Sequence, residues 1–164
     1  MKIKSSLCGA LLVLCVSQVN AECKFFKGLS HYQKEIAYKA YRAGYPEDLG
    51  YTMVAIAWKE SKLGLYKVRY GYTEYDRSFG VYHTVAYWKT KDMDPFNKGR
   101  WIQSIVENDL LSIQTGLEDL LYWKKRSKGD WYKMVGGYNG GNVPNNKYTE
   151  DIVILVRKVK LCDI

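Results

Sequence analysis

Residues 55–61 read AIAWKES, an apolar run that ends on a carboxylate, Glu60. Counting back from Glu60 by 4, 7 and 11 positions reaches Ile56, Met53 and Leu49. Those offsets share one face of an α-helix, the face that a soluble domain buries. The spacing predicts a helix from about residue 47 to residue 61 that carries an acid at its C-terminal end, on its own apolar stripe. A carboxylate in such a place is ordinarily paired with a cation or spent in a cap. One buried without a cation holds its proton toward neutral pH, which is the condition a general acid requires.

The flanking sequence extends a mainly α reading. HYQKEIAYKAYRAG (31–44) places Tyr32, Ile36 and Ala40 near helical spacing, and Gly44 followed by Pro46 signals a stop. LYKVRYGYTEYDRSFGVYHT (65–84) breaks the pattern with Gly71, Gly80 and many aromatic and β-branched residues, and reads as irregular loop with a short hairpin. Helix resumes near Val85, is interrupted around KDMDPFNKG (91–99), and continues through RWIQSIVEND (100–109). LLSIQTGLEDLLYWKKRS (110–127) then puts Leu110, Ile113, Leu117, Leu120 and Leu121 on one side, and Gly129 closes it. WYKMVGGYNGGNVPNN (131–146) passes from a short helix into a Gly- and Asn-rich loop. KYTEDIVILVRKVK (147–160) sets Tyr148, Ile152, Leu155 and Val159 at helical offsets, although its β-branched content equally suits a strand.

The N-terminus stands apart from this pattern. Lys2 and Lys4 precede an apolar stretch from Leu7 to Val19 and the small-residue end VNA. This is the layout of a secretory signal peptide over residues 1–21, cleaved after Ala21, and leaves one domain over residues 22–164. About 13 apolar residues fall short of the roughly 20 that span a bilayer, so a permanent membrane span is not expected. Cleavage removes Cys8 and Cys15 and leaves Cys23 and Cys162, which in an exported protein argue for one disulfide. In the chain-entropy model a bridge closing so long a loop is worth roughly 4–5 kcal/mol. The expected location is exported, either periplasmic or secreted.

Charge narrows the partners only a little. Net charge is +8 for the whole chain and +6 once Lys2 and Lys4 are lost. Such a balance suits nucleic acid, membrane phosphate or an anionic cell wall. The cations are scattered, apart from WKKRSKG (123–129) at a helix C-terminus where cations are favourable anyway. With no phosphate-cradling loop, nucleic acid is not an expected partner. No His/Cys/Asp cluster has metal-ligand spacing, so neither a metal nor an organic cofactor is expected.

Four segments, taken in order, carry a resemblance. AIAWKES resembles the apolar helix ending in Glu-Ser of the lytic transglycosylases related to goose-type lysozyme. SFGVYHT (78–84) falls where that family has Ser-x-Gly or Gly followed by Leu-Met-Gln. MVGGYNGG (134–141) is similar to its Ala-Tyr-Asn-Ala-Gly segment, and YTEDIVILVRKV to its closing Tyr-rich helix. Together they cover about residues 32–160. The resemblance implies a lysozyme-like single domain of α+β type, with a small irregular or β insert beside the cleft.

It also implies roles. Glu60 is then the single catalytic acid and base, and Ser61 supports the helix end. Ser78 and Gly80 belong to the loop approaching an N-acetyl sugar, and Tyr138 and Asn139 line the cleft opposite the glutamate. Where the family has Met-Gln, this chain has Tyr82 and His83: an apolar wall, and a donor to a sugar carbonyl that also titrates. The implied substrate is the peptidoglycan glycan strand, cut at the MurNAc–GlcNAc β-1,4 bond. Ordinary glycosidases use two carboxylates. The single glutamate of the transglycosylases instead closes a 1,6-anhydro ring on the muramic acid, with no cofactor.

A hydrolytic, lysozyme-type outcome needs a second acid to hold water. Glu74 and Asp76 in YTEYDRS are the acids nearest the motif loop, with Asp76 the better candidate. A non-catalytic peptidoglycan-binding part of an envelope-spanning assembly is the reading from another class. Phage lysis, secretion or pilus machinery, and wall turnover are all settings compatible with so small a chain.

Overall fold

The long apolar run before Glu60 becomes the centre of the fold. The computed structural model describes residues 23–162 and 164; the expected signal peptide, with Cys8 and Cys15, lies outside them. Helix α2 (Gly50–Ser61) buries every residue from Thr52 to Ala57. A helix apolar on all sides can be stable only inside a protein. It packs against α1 (His31–Gly44) on one side and α7 (Asn146–Lys160) on the other. The predicted stripe is as read: Leu49, Met53 and Ile56 are all buried.

Local chemistry sets the helix ends. Ser30 and Gln33 form a reciprocal capping box at the start of α1. Asn145 caps α7, which is helix and not strand, with Tyr148, Ile152 and Val159 buried. After Ser61 the chain reverses through three successive left-handed residues, Lys62, Leu63 and Gly64. Two of these are not glycine, a conformation that surrounding structure must over-determine. Here Leu63 N–H donates to the Ala57 carbonyl, Gln33 Nε2 donates to the Lys62 carbonyl, and Gly64 N–H donates to Ser61 Oγ.

Beyond that reversal lies a three-stranded antiparallel sheet, slightly more than the expected hairpin. β1 (Val68–Arg69), β2 (Ser78–Phe79) and β3 (Thr84–Val85) pair in sequence order, with Val68 opposite Phe79 and Ser78 opposite Val85. Phe79 joins Ala86 and Ile105 in a small apolar cluster beneath the sheet. The short α3 (Ala86–Thr90) leads to α4 (Pro95–Glu107), then α5 (Asp109–Arg126) and α6 (Trp131–Gly140).

Three expectations need correction. The interruption at 91–99 is shorter than read, because Pro95 opens α4 with Asp94 as its cap. Proline is tolerated at a first helical position, where its missing N–H costs nothing. Residues 136–140 are helical rather than loop, since α6 runs through Gly140. A Cβ at Gly137 would lie 2.6 Å from the Trp123 ring, so the glycine permits α6 to press on α5. Leu110, assigned to the inner face of α5, is exposed, whereas Ile113 and Leu120 are buried. The ends of the described chain are joined by the Cys23–Cys162 disulfide, with Cα atoms 5.2 Å apart.

Candidate active site

The C-terminal end of α2 opens into a cleft of about 630 Å³. Its walls come from β1 (Arg69), the turn into β3 (His83), α3 (Trp88, Lys89), α5 (Asp119, Tyr122) and the last turn of α6 (Tyr138, Asn139). Glu60 stands in this wall with its side chain 9% exposed. One carboxylate oxygen, Oε1, accepts a 2.6 Å hydrogen bond from the Tyr148 hydroxyl on the first turn of α7. The other, Oε2, lies 3.4 Å from His83 Nδ1. The acid on the apolar stripe therefore has a phenol and an imidazole for partners.

Two tyrosines shape the surroundings of Glu60. Burial, and then the nearby charge of Glu60, push the Tyr138 and Tyr148 hydroxyls well above the usual phenol value. Both stay neutral donors at any physiological pH. The Tyr138 hydroxyl donates to the Tyr82 carbonyl at 2.7 Å, clamping the end of α6 to the motif loop. Asn139 is exposed beside it and accepts from Asn145 Nδ2 at 2.8 Å. Trp88 and Tyr122 expose large aromatic surfaces at the cleft.

Of the residues expected at the site, Glu60, Tyr82, His83, Tyr138 and Asn139 all border one cleft. The others are placed differently. Ser61 is fully buried; its hydroxyl donates to the Val81 carbonyl at 2.7 Å and accepts from Gly64 N–H, tying the helix end to the motif loop. Such a place suits support of the helix end and excludes contact with a sugar. Ser78 is fully buried in β2 and Gly80 is buried in the turn that follows. Gly80 has φ +80°, and an added Cβ there would lie 2.9 Å from the Ile105 carbonyl oxygen. Neither reaches the cleft wall, because the loop tucks its small residues against α4 and α5.

Tyr82 is the plainest correction. It borders the cleft, but its ring is completely buried and its hydroxyl donates to the Met53 carbonyl at 3.0 Å, so it offers no exposed apolar face to a ligand. Burial pushes its hydroxyl well above the usual phenol value. Its backbone carbonyl accepts from the Tyr138 hydroxyl at the cleft.

The second-acid assignment also moves. Asp76 is exposed in the one-turn 3₁₀ helix Glu74–Asp76, accepts from Thr73 Oγ1 at 2.9 Å, and is not part of the cleft wall. Asp119 is. It accepts a 2.6 Å hydrogen bond from Lys89 Nζ, and burial raises its carboxyl above the usual range against the lowering effect of that ammonium. Asp119 escaped notice because GLEDLL reads as an ordinary amphipathic helix. The available signal was its helical alignment with Thr115, Tyr122 and Trp123, a face with too many aromatics to be simply solvated. The helical offset of Tyr148 fits a core position, and nothing in it distinguishes a core phenol from one aimed at Glu60.

Among the described residues no group of His, Cys, Asp and Glu could hold a metal ion, and no helix is long and apolar enough to cross a membrane. Over the described residues the protein is mainly helical, with a small three-stranded antiparallel sheet and the Cys23–Cys162 disulfide. Comparison with known proteins gives no match among family models, curated proteins or solved structures.

Proposed function

We propose that this chain is an exported enzyme of lysozyme-like fold, a lytic transglycosylase that cleaves the MurNAc–GlcNAc β-1,4 bond of peptidoglycan. The observation that carries the reading is one carboxyl group, 9% exposed, at the end of a buried helix and facing an aromatic-walled cleft. Four motif segments stand in the family's order along the chain. The disulfide suits an oxidising compartment such as the periplasm or the cell exterior.

In this reading Glu60 first gives a proton to the oxygen bridging the two sugars, and the C1–O bond breaks. The carboxylate so formed keeps the 2.6 Å bond from Tyr148, which costs no reorganisation at the moment of reaction. The substrate's N-acetyl group supports the cationic centre. Glu60 then takes the proton of the muramic acid 6-hydroxyl as that oxygen closes on C1, giving the 1,6-anhydro product. Trp88 and Tyr122 offer aromatic faces for sugar rings, and Arg69 offers a cation for the acidic stem peptide.

Asp119 favours one second reading, hydrolysis. It is a second carboxyl on the wall of the same cleft, as a water-activating base would be. Mass spectrometry of a peptidoglycan digest separates the two, because transglycosylation leaves anhydromuramic ends and hydrolysis leaves reducing ends. Anhydro ends are expected. Glu60→Gln is expected to keep the fold and lose cleavage by several orders of magnitude; near wild-type clearing by that variant would refute both readings.

A further inference from the structure

His83 occupies an unusual backbone position and an unusual place. Its φ of 47° is left-handed, a conformation uncommon outside glycine. This backbone turns the imidazole inward, leaving its side chain 8% exposed between two fixed partners. Nε2 lies 2.7 Å from the Tyr66 carbonyl oxygen, and Nδ1 lies 3.4 Å from Glu60 Oε2.

Those two contacts allow the protons to be counted. A backbone carbonyl can only accept, so Nε2 carries a hydrogen in every protonation state. Neutral His83 then presents a bare Nδ1 lone pair to Glu60. A carboxylate and a lone pair facing each other repel, whereas a proton between them turns the 3.4 Å contact into an ion pair. Glu60 Oε1 gains nothing further from this proton, since Tyr148 already serves it. The other ionisable groups facing the pair are Tyr148 from α7, Tyr138 from α6, Asp119 from α5, Lys89 from α3 and Arg69 from β1. The two phenols stay neutral, and Asp119 and Lys89 pair with each other, so neither pair supplies the missing proton.

We infer that Glu60 and His83 form a dyad sharing one proton, in which His83 stores the proton that Glu60 delivers. The inference rests on the transglycosylase reading for its chemistry. Before reaction the proton moves from Nδ1 to Oε2, leaving a neutral imidazole and a carboxylic acid. The acid passes it to the bridging sugar oxygen as the C1–O bond breaks, and the dyad is left with none. When the 6-hydroxyl closes on C1, its proton returns to Oε2 and the dyad is whole again. The proton inventory balances over one turnover, and no outside donor is needed. His83 acts through Glu60 and is a positioning and proton-holding residue rather than a catalytic one.

A free imidazole and a free carboxyl release their protons about two pH units apart. His83→Gln can still donate an amide hydrogen but cannot store a proton. The test is the pH profile of peptidoglycan cleavage by the full chain and by His83→Gln. The variant's basic limb is expected to move toward acid, so that its activity relative to wild type falls about tenfold or more between pH 5 and pH 7.5. A ratio that is constant across that range, whether near one or uniformly low, overturns the dyad.

A second measurement needs neither substrate nor a folded His83 variant. Nitrogen-15 NMR of wild type and Glu60→Gln follows His83, with exposed His31 as the internal standard. His83 Nδ1 is expected to keep its hydrogen to higher pH in wild type than in Glu60→Gln, while His31 does not change. Coincident His83 titrations overturn the dyad. If wild type leaves peptidoglycan intact, the transglycosylase reading fails by itself, and the NMR result still decides whether the two residues share a proton.

Discussion

Gly116→Ala pits helix propensity against packing, and the two predict opposite signs. Gly116 is buried in the interior of α5. Propensity alone makes alanine better there by about 1 kcal/mol. An added Cβ would, however, lie 2.7 Å from Tyr82 Cδ1 and 2.8 Å from its Cβ. The Tyr82 ring has little freedom to yield, because it is fully buried and its hydroxyl is bound to the Met53 carbonyl. Overpacking of this kind costs about 1–3 kcal/mol, and a displaced ring gives up its hydrogen bond for about 1 kcal/mol more. Packing wins, by about 1–3 kcal/mol net. For a domain of this size that lowers the Tm by about 4–12 °C, read from circular dichroism melts with the disulfide intact. Cleavage should fall as well, since the Tyr82 carbonyl is what Tyr138 grips at the cleft. A Tm equal to or above that of wild type would refute the packing argument, and with it the claim that Tyr82 is a fixed core residue.

Tyr148→Phe removes the 2.6 Å donor to Glu60 while leaving the ring in place. A hydrogen bond to a charged group is worth about 1.5–3 kcal/mol, so kcat should fall about tenfold to hundredfold with KM little altered; an unchanged kcat would remove Tyr148 from the site. Asp119→Asn should leave anhydromuramic ends and cost less than the hundredfold or more attributable to a general base. Loss of reducing ends from the wild-type digest in that variant would instead identify Asp119 as the residue that holds water. Asp94 and Asp130 cap α4 and α6, and the backbone N–H groups of Asn97 and Lys133 respectively hold their carboxyls below the usual range. Stability from such depressed acids is present above the unfolded-state value and is lost as pH falls through the folded one. The Asp94→Asn/Asp130→Asn double variant keeps both caps but should flatten the acid limb of a pH–Tm curve below about pH 4; an unaltered limb would show that the caps carry none of it.

Much of the architecture could be read before any coordinates because α2 is extreme. Leu49, Met53 and Ile56 fall on one stripe, and a helix with Glu60 at its C-terminal end follows from spacing alone. Pro95 misled because a proline within a helical run reads as a breaker unless the preceding aspartate is recognised as a cap. The glycines of α6 read as turn residues because propensity carries no knowledge of Trp123, whose ring occupies the space a side chain would need. Tyr82 and His83 are neighbours in sequence but diverge in space: one enters the core and the other faces Glu60. That split is created by the left-handed backbone at His83, and local sequence does not encode it. Asp119 became visible as a cleft residue only when α3 placed Lys89 and Trp88 across from α5.

The Cys23–Cys162 bridge closes a sequence separation of 139 residues, which makes the described chain a covalent ring. A protease that cuts once anywhere between those cysteines opens the ring without releasing a fragment. In a milieu rich in secreted proteases a nicked molecule would stay whole in mass and held together in shape. The same closure means that a short linker could replace the bridge between residues 23 and 162 and new ends be opened in a surface loop such as residues 70–76, with little change to the walls of the cleft.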